Sequence, residues 1–114
     1  MQRALEQGFT VECVASIPEA KRCLDTSIPD LLISEVVVGS ESGLDLCRYV
    51  RSIPALRSLP IMLFTSLSTV QDKVAGFGAG TDDYVVKPCD LHHLVARIRL
   101  LSRIKRLERH IAII

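Results

Sequence analysis

Near-continuous apolar runs recur along the chain and predict its strands. Leu31 to Ile33, Leu59 to Thr65 and Tyr84 to Val86 are such runs, and unbroken apolar character is typical of strands buried on both faces between helices. Val36 to Val38 extends the first run, so the pattern leaves the end of that strand open. Phe9 to Val14 instead alternates apolar and polar residues, which predicts a strand at the edge of a sheet.

Segments with a single apolar stripe separate these runs and predict helices. Ser16, with Glu19 three residues later, is a helix-capping signal, and Asp90 is placed to cap the last helix. The predicted helices are a fragment from Met1 to Gln7, a segment after Ser16, Leu44 to Val50, Val70 to Phe77, and a long helix that begins near Leu91. Because strands alternate with helices over short connections, we expect a three-layer α/β fold, a parallel sheet with helices on both faces.

Length and composition are those of a globular domain. The chain has 114 residues, enough for one domain, with 48% hydrophobic and 24% charged residues. No apolar run reaches the ~20 residues that span a bilayer and nothing resembles a signal peptide, so we expect a cytoplasmic protein with no membrane partner. The four cysteines are widely spaced, as in small buried hydrophobes of a reducing compartment. Aromatic residues make up 4% of the chain, which argues against a nucleic-acid partner.

Three polar side chains stand where successive predicted strands end. Glu35 follows the first apolar run, Thr65 ends the second and Lys87 follows the third. Because parallel strands end at one rim of the sheet, where ligand-binding groups collect, these side chains should converge. A carboxylate, a hydroxyl and an ammonium can together hold a phosphoryl group. Taken alone, Glu35 also reads as an ordinary loop residue.

Four segments together carry a family resemblance. They are Pro29-Asp30-Leu31-Leu32, Gly43-Leu44, Leu59-Pro60-Ile61-Met62-Leu63-Phe64-Thr65 and Gly78-Ala79-Gly80-Thr81-Asp82-Asp83-Tyr84-Val85-Val86-Lys87-Pro88, the last being the most specific. With them the chain resembles the receiver domain of two-component response regulators, from about Leu5 to Leu101. The resemblance implies a flavodoxin-like fold and a phosphorelay module that is not itself an enzyme, partnered by a histidine kinase or a downstream signalling protein.

The resemblance also implies roles for single residues. In the family, an aspartate at the position of Glu35 takes a phosphoryl group from a histidine kinase with the help of Mg²⁺, and Lys87 contacts that group. The side chains at Thr65 and Tyr84 switch together on phosphorylation, and the surface around Tyr84 recognises partners. The Lys87–Pro88 bond is usually cis in the family. No catalytic residue is carried over.

The chain departs from the family pattern in two places that concern the chemistry. The acceptor position is Glu35, whose extra methylene moves the carboxylate toward the place of a phosphoryl group. The family's first strand, with the acidic pair that binds Mg²⁺, is missing, so we expect weak or absent Mg²⁺ binding and no metal site. Glu35 then either imitates the phosphorylated state or reflects drift in a disused site. The residues leave both readings open.

The missing strand leaves a slot in the middle of the expected sheet, between the edge strand and the strand of Glu35. Upstream residues could fill it, or it could close by strand exchange, by oligomerisation or by rearrangement. The chain therefore divides into an incomplete receiver-like domain, 1–101, and an extension of the last helix, 102–114. Apolar residues in the last helix and its extension follow heptad spacing, which predicts that the extension is a linker or a homodimer seam. The alternative is fraying of the helix or a local cap over the core. The seam residues are Leu100, Ile104, Leu107, Ile111 and Ile114.

Three functional hypotheses follow. The first is a two-component receiver domain that acts as a protein-interaction module and is impaired in phosphorylation, a pseudo-receiver. The second is a genuine phospho-accepting receiver that lacks its first strand in this chain. The third is a regulatory fragment of a larger output enzyme, such as a cyclic-dinucleotide synthase. The cognate kinase and the output are not encoded in these residues.

Overall fold

The protein is described by a computed structural model that covers residues 5–6, 8–101 and 110–114. Within these residues a five-stranded parallel sheet is accompanied by a two-stranded antiparallel ladder. The strands are β1 (Thr10–Cys13), β2 (Leu31–Ser34), β3 (Val37–Val38), β4 (Glu41–Ser42), β5 (Ile61–Thr65), β6 (Asp83–Val86) and β7 (His110–Ile113). The helices are α1 (Ile17–Thr26), α2 (Gly43–Ser52), α3 (Val70–Ala79) and α4 (Leu91–Leu101), with a 3-10 turn at Pro54–Leu56.

The main sheet has the order β1–β7–β2–β5–β6 and separates two hydrophobic cores. Alternate residues of β2 point to opposite faces, so Leu32 belongs to one core while Leu31 and Ile33 belong to the other. Buried residues of α1, α2 and α3 complete the first core, and Leu94 and Ile98 of α4 complete the second. The predicted α/β fold, with helices on both faces of a parallel sheet, is confirmed.

Local signals in the sequence fix several helix ends. The Ser16 side chain accepts a hydrogen bond from the Glu19 N–H at 3.2 Å, and Asp90 accepts one from the His92 N–H at 2.8 Å, so both predicted caps are confirmed. Thr69 and Asp72 form a reciprocal capping box at the start of α3. Such caps satisfy backbone donors that the first helical turn leaves without a partner.

β1 lies at the edge of the sheet, as its alternating pattern predicts. β2 ends at Ser34, which settles the boundary that the sequence left open. The chain turns away after Glu35, and Val37–Val38 pairs with Glu41–Ser42 through a turn at Gly39, whose φ is +62°. The cysteines were expected to be buried, but Cys13 is exposed whereas Cys47 is buried.

β7 fills the slot in the middle of the sheet. It pairs in parallel with β1 on one side and with β2 on the other, so that Ile111 stands opposite both Val11 and Leu31. The ladders continue past β7, since the Val14 N–H donates to the Ile113 carbonyl at 3.0 Å and the Ile114 N–H donates to the Ile33 carbonyl at 2.8 Å. Of the ways in which the slot could close, the structure adopts a rearrangement within the chain.

The predicted helical seam is therefore wrong for its last members, Ile111 and Ile114, which belong to a strand and the residue after it. The reason is that a slot with backbone partners on both sides satisfies the peptide groups of an apolar segment and also buries its side chains. Ile104 and Leu107, two further members of the predicted seam, lie outside the described residues. In the ranges that the structure covers, no helix is long and apolar enough to cross a membrane.

Substitution in β7 tests this arrangement. Ile111 is fully buried, whereas Leu100, another residue of the predicted seam, is 59% exposed. Ile111→Ala should lower the free energy of unfolding by about 2–5 kcal/mol because it leaves a cavity in the core. Leu100→Ala should change it by less than about 0.5 kcal/mol. Urea denaturation of both variants measures the difference, and equal losses would favour the helical seam over the central strand.

Candidate functional site

The three side chains predicted to converge do stand at one rim of the sheet. Glu35 directly follows β2, Thr65 is the last residue of β5, and Lys87 directly follows β6. β5 pairs in parallel with both β2 and β6. The Lys87 N–H extends the second ladder by donating to the Thr65 carbonyl at 2.8 Å. The sheet thereby fixes the backbones of all three residues relative to each other.

Lys87 and Glu35 form a direct ion pair, Nζ to Oε1. The Lys87 ammonium also lies over the Phe64 ring, 5.1 Å from its centroid, a geometry in which the ring face attracts the cation. The two charged side chains keep 41% and 32% of their surface exposed, so water screens the pair. The Glu35 carboxylate is thus the direct charge partner of the Lys87 ammonium. The Lys87–Pro88 peptide bond is cis, as the resemblance implied.

Thr65 and Tyr84 meet through a third residue, Leu67. The Leu67 N–H donates to Thr65 Oγ1 at 3.3 Å, and the Tyr84 hydroxyl donates to the Leu67 carbonyl at 2.7 Å. Thr65 and Tyr84 are both buried. The two residues are therefore connected through the backbone of the loop that leads into α3, and Thr65 makes its hydrogen bond with this loop and not with Glu35.

Burial also changes the acidity of Tyr84. Loss of hydration is the main cause that raises the pKa of its hydroxyl above the ordinary value, and the negative charges of Asp72 and Glu35 add to the effect. The neutral hydroxyl, the form that can donate to Leu67, is thereby favoured. In the same core, burial raises the pKa of the Cys47 thiol to about 11, which makes this cysteine an inert packing residue.

The loop after Glu35 lies directly against the backbone of the acceptor position. The Gly43 N–H donates to the Val36 carbonyl at 2.7 Å, and a Cβ on Gly43 would lie 1.9 Å from the Glu35 carbonyl oxygen. Only glycine permits so close an approach. The Ser34 hydroxyl donates to the same Glu35 carbonyl at 2.8 Å. The Gly43-Leu44 motif is therefore explained by packing at the site.

The acidic residues before Tyr84 hold its strand in place. Asp82 accepts hydrogen bonds from the Ile61 N–H and from Arg51, both at 2.8 Å. Asp83 accepts one from Arg97 at 3.0 Å. These contacts tie the start of β6 to β5, α2 and α4, so this pair of carboxylates supports the fold and does not face the rim of Glu35.

The donors near Glu35 do not fit a Mg²⁺ ion, which takes hard oxygen ligands in an octahedral shell. Ile114, which follows the central strand β7, lies beside Glu35, and its carbonyl accepts a hydrogen bond from the Glu35 N–H at 3.0 Å. The Ile114 side chain has no oxygen to offer a cation. Among the residues that the structure describes, no three His, Cys, Asp or Glu side chains are grouped as metal ligands would be.

Comparison with known proteins identifies the family. The chain matches the family model of the response regulator receiver domain over residues 1–99, and it belongs to that family. It is 37% identical over 97 residues to the phosphate regulon transcriptional regulatory protein PhoB of Rhizobium meliloti, covering 85% of this chain and 43% of that protein. It is 38% identical over 109 residues to the response regulator MprA of Mycobacterium ulcerans, covering 95% of this chain and 46% of that protein.

A solved structure supports the same assignment. The signal receiver domain of a signal transduction histidine kinase from Syntrophus aciditrophicus is 40% identical, with a TM-score of 0.78 over 92% of this chain and 80% of that one. The chain thus spans less than half the length of the two regulators that it matches, and most of the length of a receiver domain taken alone.

The strand ends were predicted from the sequence, but two residues that take part in the site, Phe64 and Leu67, were not. Phe64 carries a partial signal, because it directly precedes Thr65 in an apolar strand and its ring was available to a cation. Leu67 carries none, since it acts through its backbone N–H and carbonyl and any residue type supplies those groups.

The ion pair at the rim should contribute little to stability. Lys87→Ala removes a solvent-screened pair and should lower the free energy of unfolding by about 0–1 kcal/mol. Urea denaturation of the two proteins measures the change. A loss of several kcal/mol for Lys87→Ala would mean that the pair is a structural element of the core.

Proposed function

We propose that this chain is a receiver-type interaction module of a two-component pathway that is impaired in accepting a phosphoryl group. The observation that supports this proposal best is the direct contact between Lys87 and Glu35. In this arrangement the protein's own carboxylate supplies the negative charge that Lys87 would meet on a phosphorylated aspartate. The partner is a histidine kinase or a downstream signalling protein, and the module itself carries out no catalytic step.

The impairment has two physical causes. Glu35 places its carboxylate about one methylene further from the backbone than an aspartate does, and about 1 Å of misplacement can lower a rate about a hundredfold. The groups around Glu35 also lack the hard oxygen ligands that would hold Mg²⁺, so binding of that ion is weak or absent. Mimicry of the phosphorylated state and loss of use remain two versions of this proposal. Glu35→Gln separates them, since it changes partner binding only if the charge imitates a phosphoryl group.

Two alternative functions are also compatible with membership of the receiver family. Glu35 is a carboxylate and is partly exposed at the rim, so a slow transfer to it would make the chain a genuine phospho-acceptor. The chain also covers less than half of the regulators that it matches. A regulatory role within a longer protein, including an output enzyme such as a cyclic-dinucleotide synthase, therefore fits its length.

Treatment with a small phosphodonor tests the impairment. After incubation with acetyl phosphate and Mg²⁺, intact-mass spectrometry should detect no stoichiometric phosphoryl adduct, whereas a receiver with an aspartate acceptor, run in parallel, should gain one. Glu35→Asp alone should not restore the reaction, because the ligands for Mg²⁺ would still be missing. A stoichiometric adduct mapped to Glu35 would establish the phospho-accepting alternative.

We also propose that the module forms a homodimer, on grounds other than the predicted ones. The slot in the sheet is filled within the chain, so it no longer favours association. Helix α3, however, exposes Val70, Val74 and Phe77 along one face, at spacings of four and three residues, and this face adjoins the loop that contacts Tyr84. A contiguous apolar face of this kind is typical of an interaction surface.

Light scattering across a dilution series tests self-association. The unchanged chain should associate at high concentration, and Val74→Lys should abolish this by placing a charge in the apolar face. Val37→Lys is the matched control, because Val37 is 61% exposed, close to the 65% of Val74, but lies in β3. A monomer at every concentration would contradict the dimer, and equal effects of both substitutions would move the interface away from α3.

A further inference from the structure

Gly76 lies in the middle of α3 and faces the ring of Tyr84. A Cβ on this residue would lie 2.9 Å from Tyr84 Cδ2, 3.0 Å from Tyr84 Cε2 and 3.0 Å from Leu63 Cδ1. Contacts this short are not tolerated in a packed interior, so one of the groups would have to move. The ring of Tyr84 thus occupies the space that a side chain at position 76 would fill.

We propose that Gly76 is a positioning residue: by leaving this space open it keeps the Tyr84 ring packed under α3 and so fixes the loop around Leu67. This role deepens the proposed function and rests on it, because the surface around Tyr84 matters only if the domain binds a partner. The experiment below reads Tyr84 directly, so its outcome does not depend on phosphorylation or on a partner.

The ring is the group most able to yield to a side chain at position 76. Among the described residues, the Tyr84 ring is held by packing in the first core and by the hydrogen bond from its hydroxyl to Leu67. Rotation about χ1 to another staggered rotamer would move the ring away from position 76. The α3 backbone is held by its capping box at one end and by Gly80, at φ +112°, at the other. Leu63 lies in the fully buried β5 and has no route to the surface.

Outward rotation of the ring would be felt at the start of α3. It would remove the hydrogen bond to the Leu67 carbonyl, leaving this loop with the Leu67 N–H bond to Thr65 and the Thr69–Asp72 cap. Leu67 stands two residues before that cap, and Val70 and Val74 of the exposed face follow it. Gly76 thereby connects the packing inside the domain to the position of the surface that α3 presents.

Tyrosine spectroscopy tests the proposal on the full chain. The chain has two tyrosines and no tryptophan, so Tyr49→Phe leaves Tyr84 as the only such reporter. In that background, ultraviolet titration should give a midpoint above the ordinary tyrosine value, and acrylamide should quench the fluorescence weakly. Gly76→Ala should lower the midpoint to near the ordinary value and increase the quenching constant several-fold.

Gly78→Ala is the matched control. It makes the same change in the same helix, but a Cβ there would meet nothing within 4 Å and the residue is exposed. It should leave both the midpoint and the quenching unchanged. If Gly76→Ala stays folded by circular dichroism and also leaves both readouts unchanged, the proposal is overturned.

A second variant decides the case in which Gly76→Ala does not fold. Gly76→Ala is then combined with Tyr84→Ala, which removes the ring from the contact. If the double variant folds as well as Tyr84→Ala alone, the space at Gly76 is reserved for the ring and the proposal stands. If the double variant also fails to fold while Tyr84→Ala folds, the obstruction lies with Leu63 or the backbone and the proposal is overturned.

Discussion

Backbone pairing of β7 on both of its edges is the constraint on which the rest of the structure depends. A strand in the middle of a parallel sheet satisfies the N–H and carbonyl groups of its two neighbours, which would otherwise be buried without partners. Here a segment of four residues, His110–Ile113, does this for β1 and β2 together. The two cores also depend on it, since Ile111 contributes to one and Ala112 to the other.

The same strand defines what the site can do. β2 places Glu35 at the rim, and its position is fixed by β5 on one side and by the segment ending in Ile114 on the other. That segment brings carbonyl groups and isoleucine side chains to the rim, where a strand ending in carboxylates would bring ligands for a cation. The charge of Glu35 is therefore balanced by the ammonium of Lys87.

Most of the fold was predictable because its signals are local. The apolar runs of β2, β5 and β6, and the caps at Ser16 and Asp90, are patterns that short segments carry by themselves. β7 was not predictable in the same way. Its three apolar residues, Ile111 to Ile113, fit both a helical seam and a buried strand, and short apolar runs do not distinguish the two. The slot between distant strands decides between them, and that slot exists only in the folded protein.

The site divides along the same line. Glu35, Thr65 and Lys87 were predictable because strand ends in a parallel sheet share a rim. The link between Thr65 and Tyr84 was not predictable in this way. It runs through the backbone of Leu67, which has no signature in the sequence. The close approach of Gly76 to the Tyr84 ring likewise has no signature in the sequence, because the two residues meet only in the folded protein.

The order in which the sheet can be completed during synthesis follows from the register of β1. Thr10 pairs with His110, so the edge strand β1 gains its neighbour β7 only once the chain has been made as far as residue 110. Until then the facing edges of β1 and β2 expose backbone groups that can pair with other chains. Contacts so distant in sequence also close slowly. The main sheet is therefore completed only after the segment 110–113 has left the ribosome.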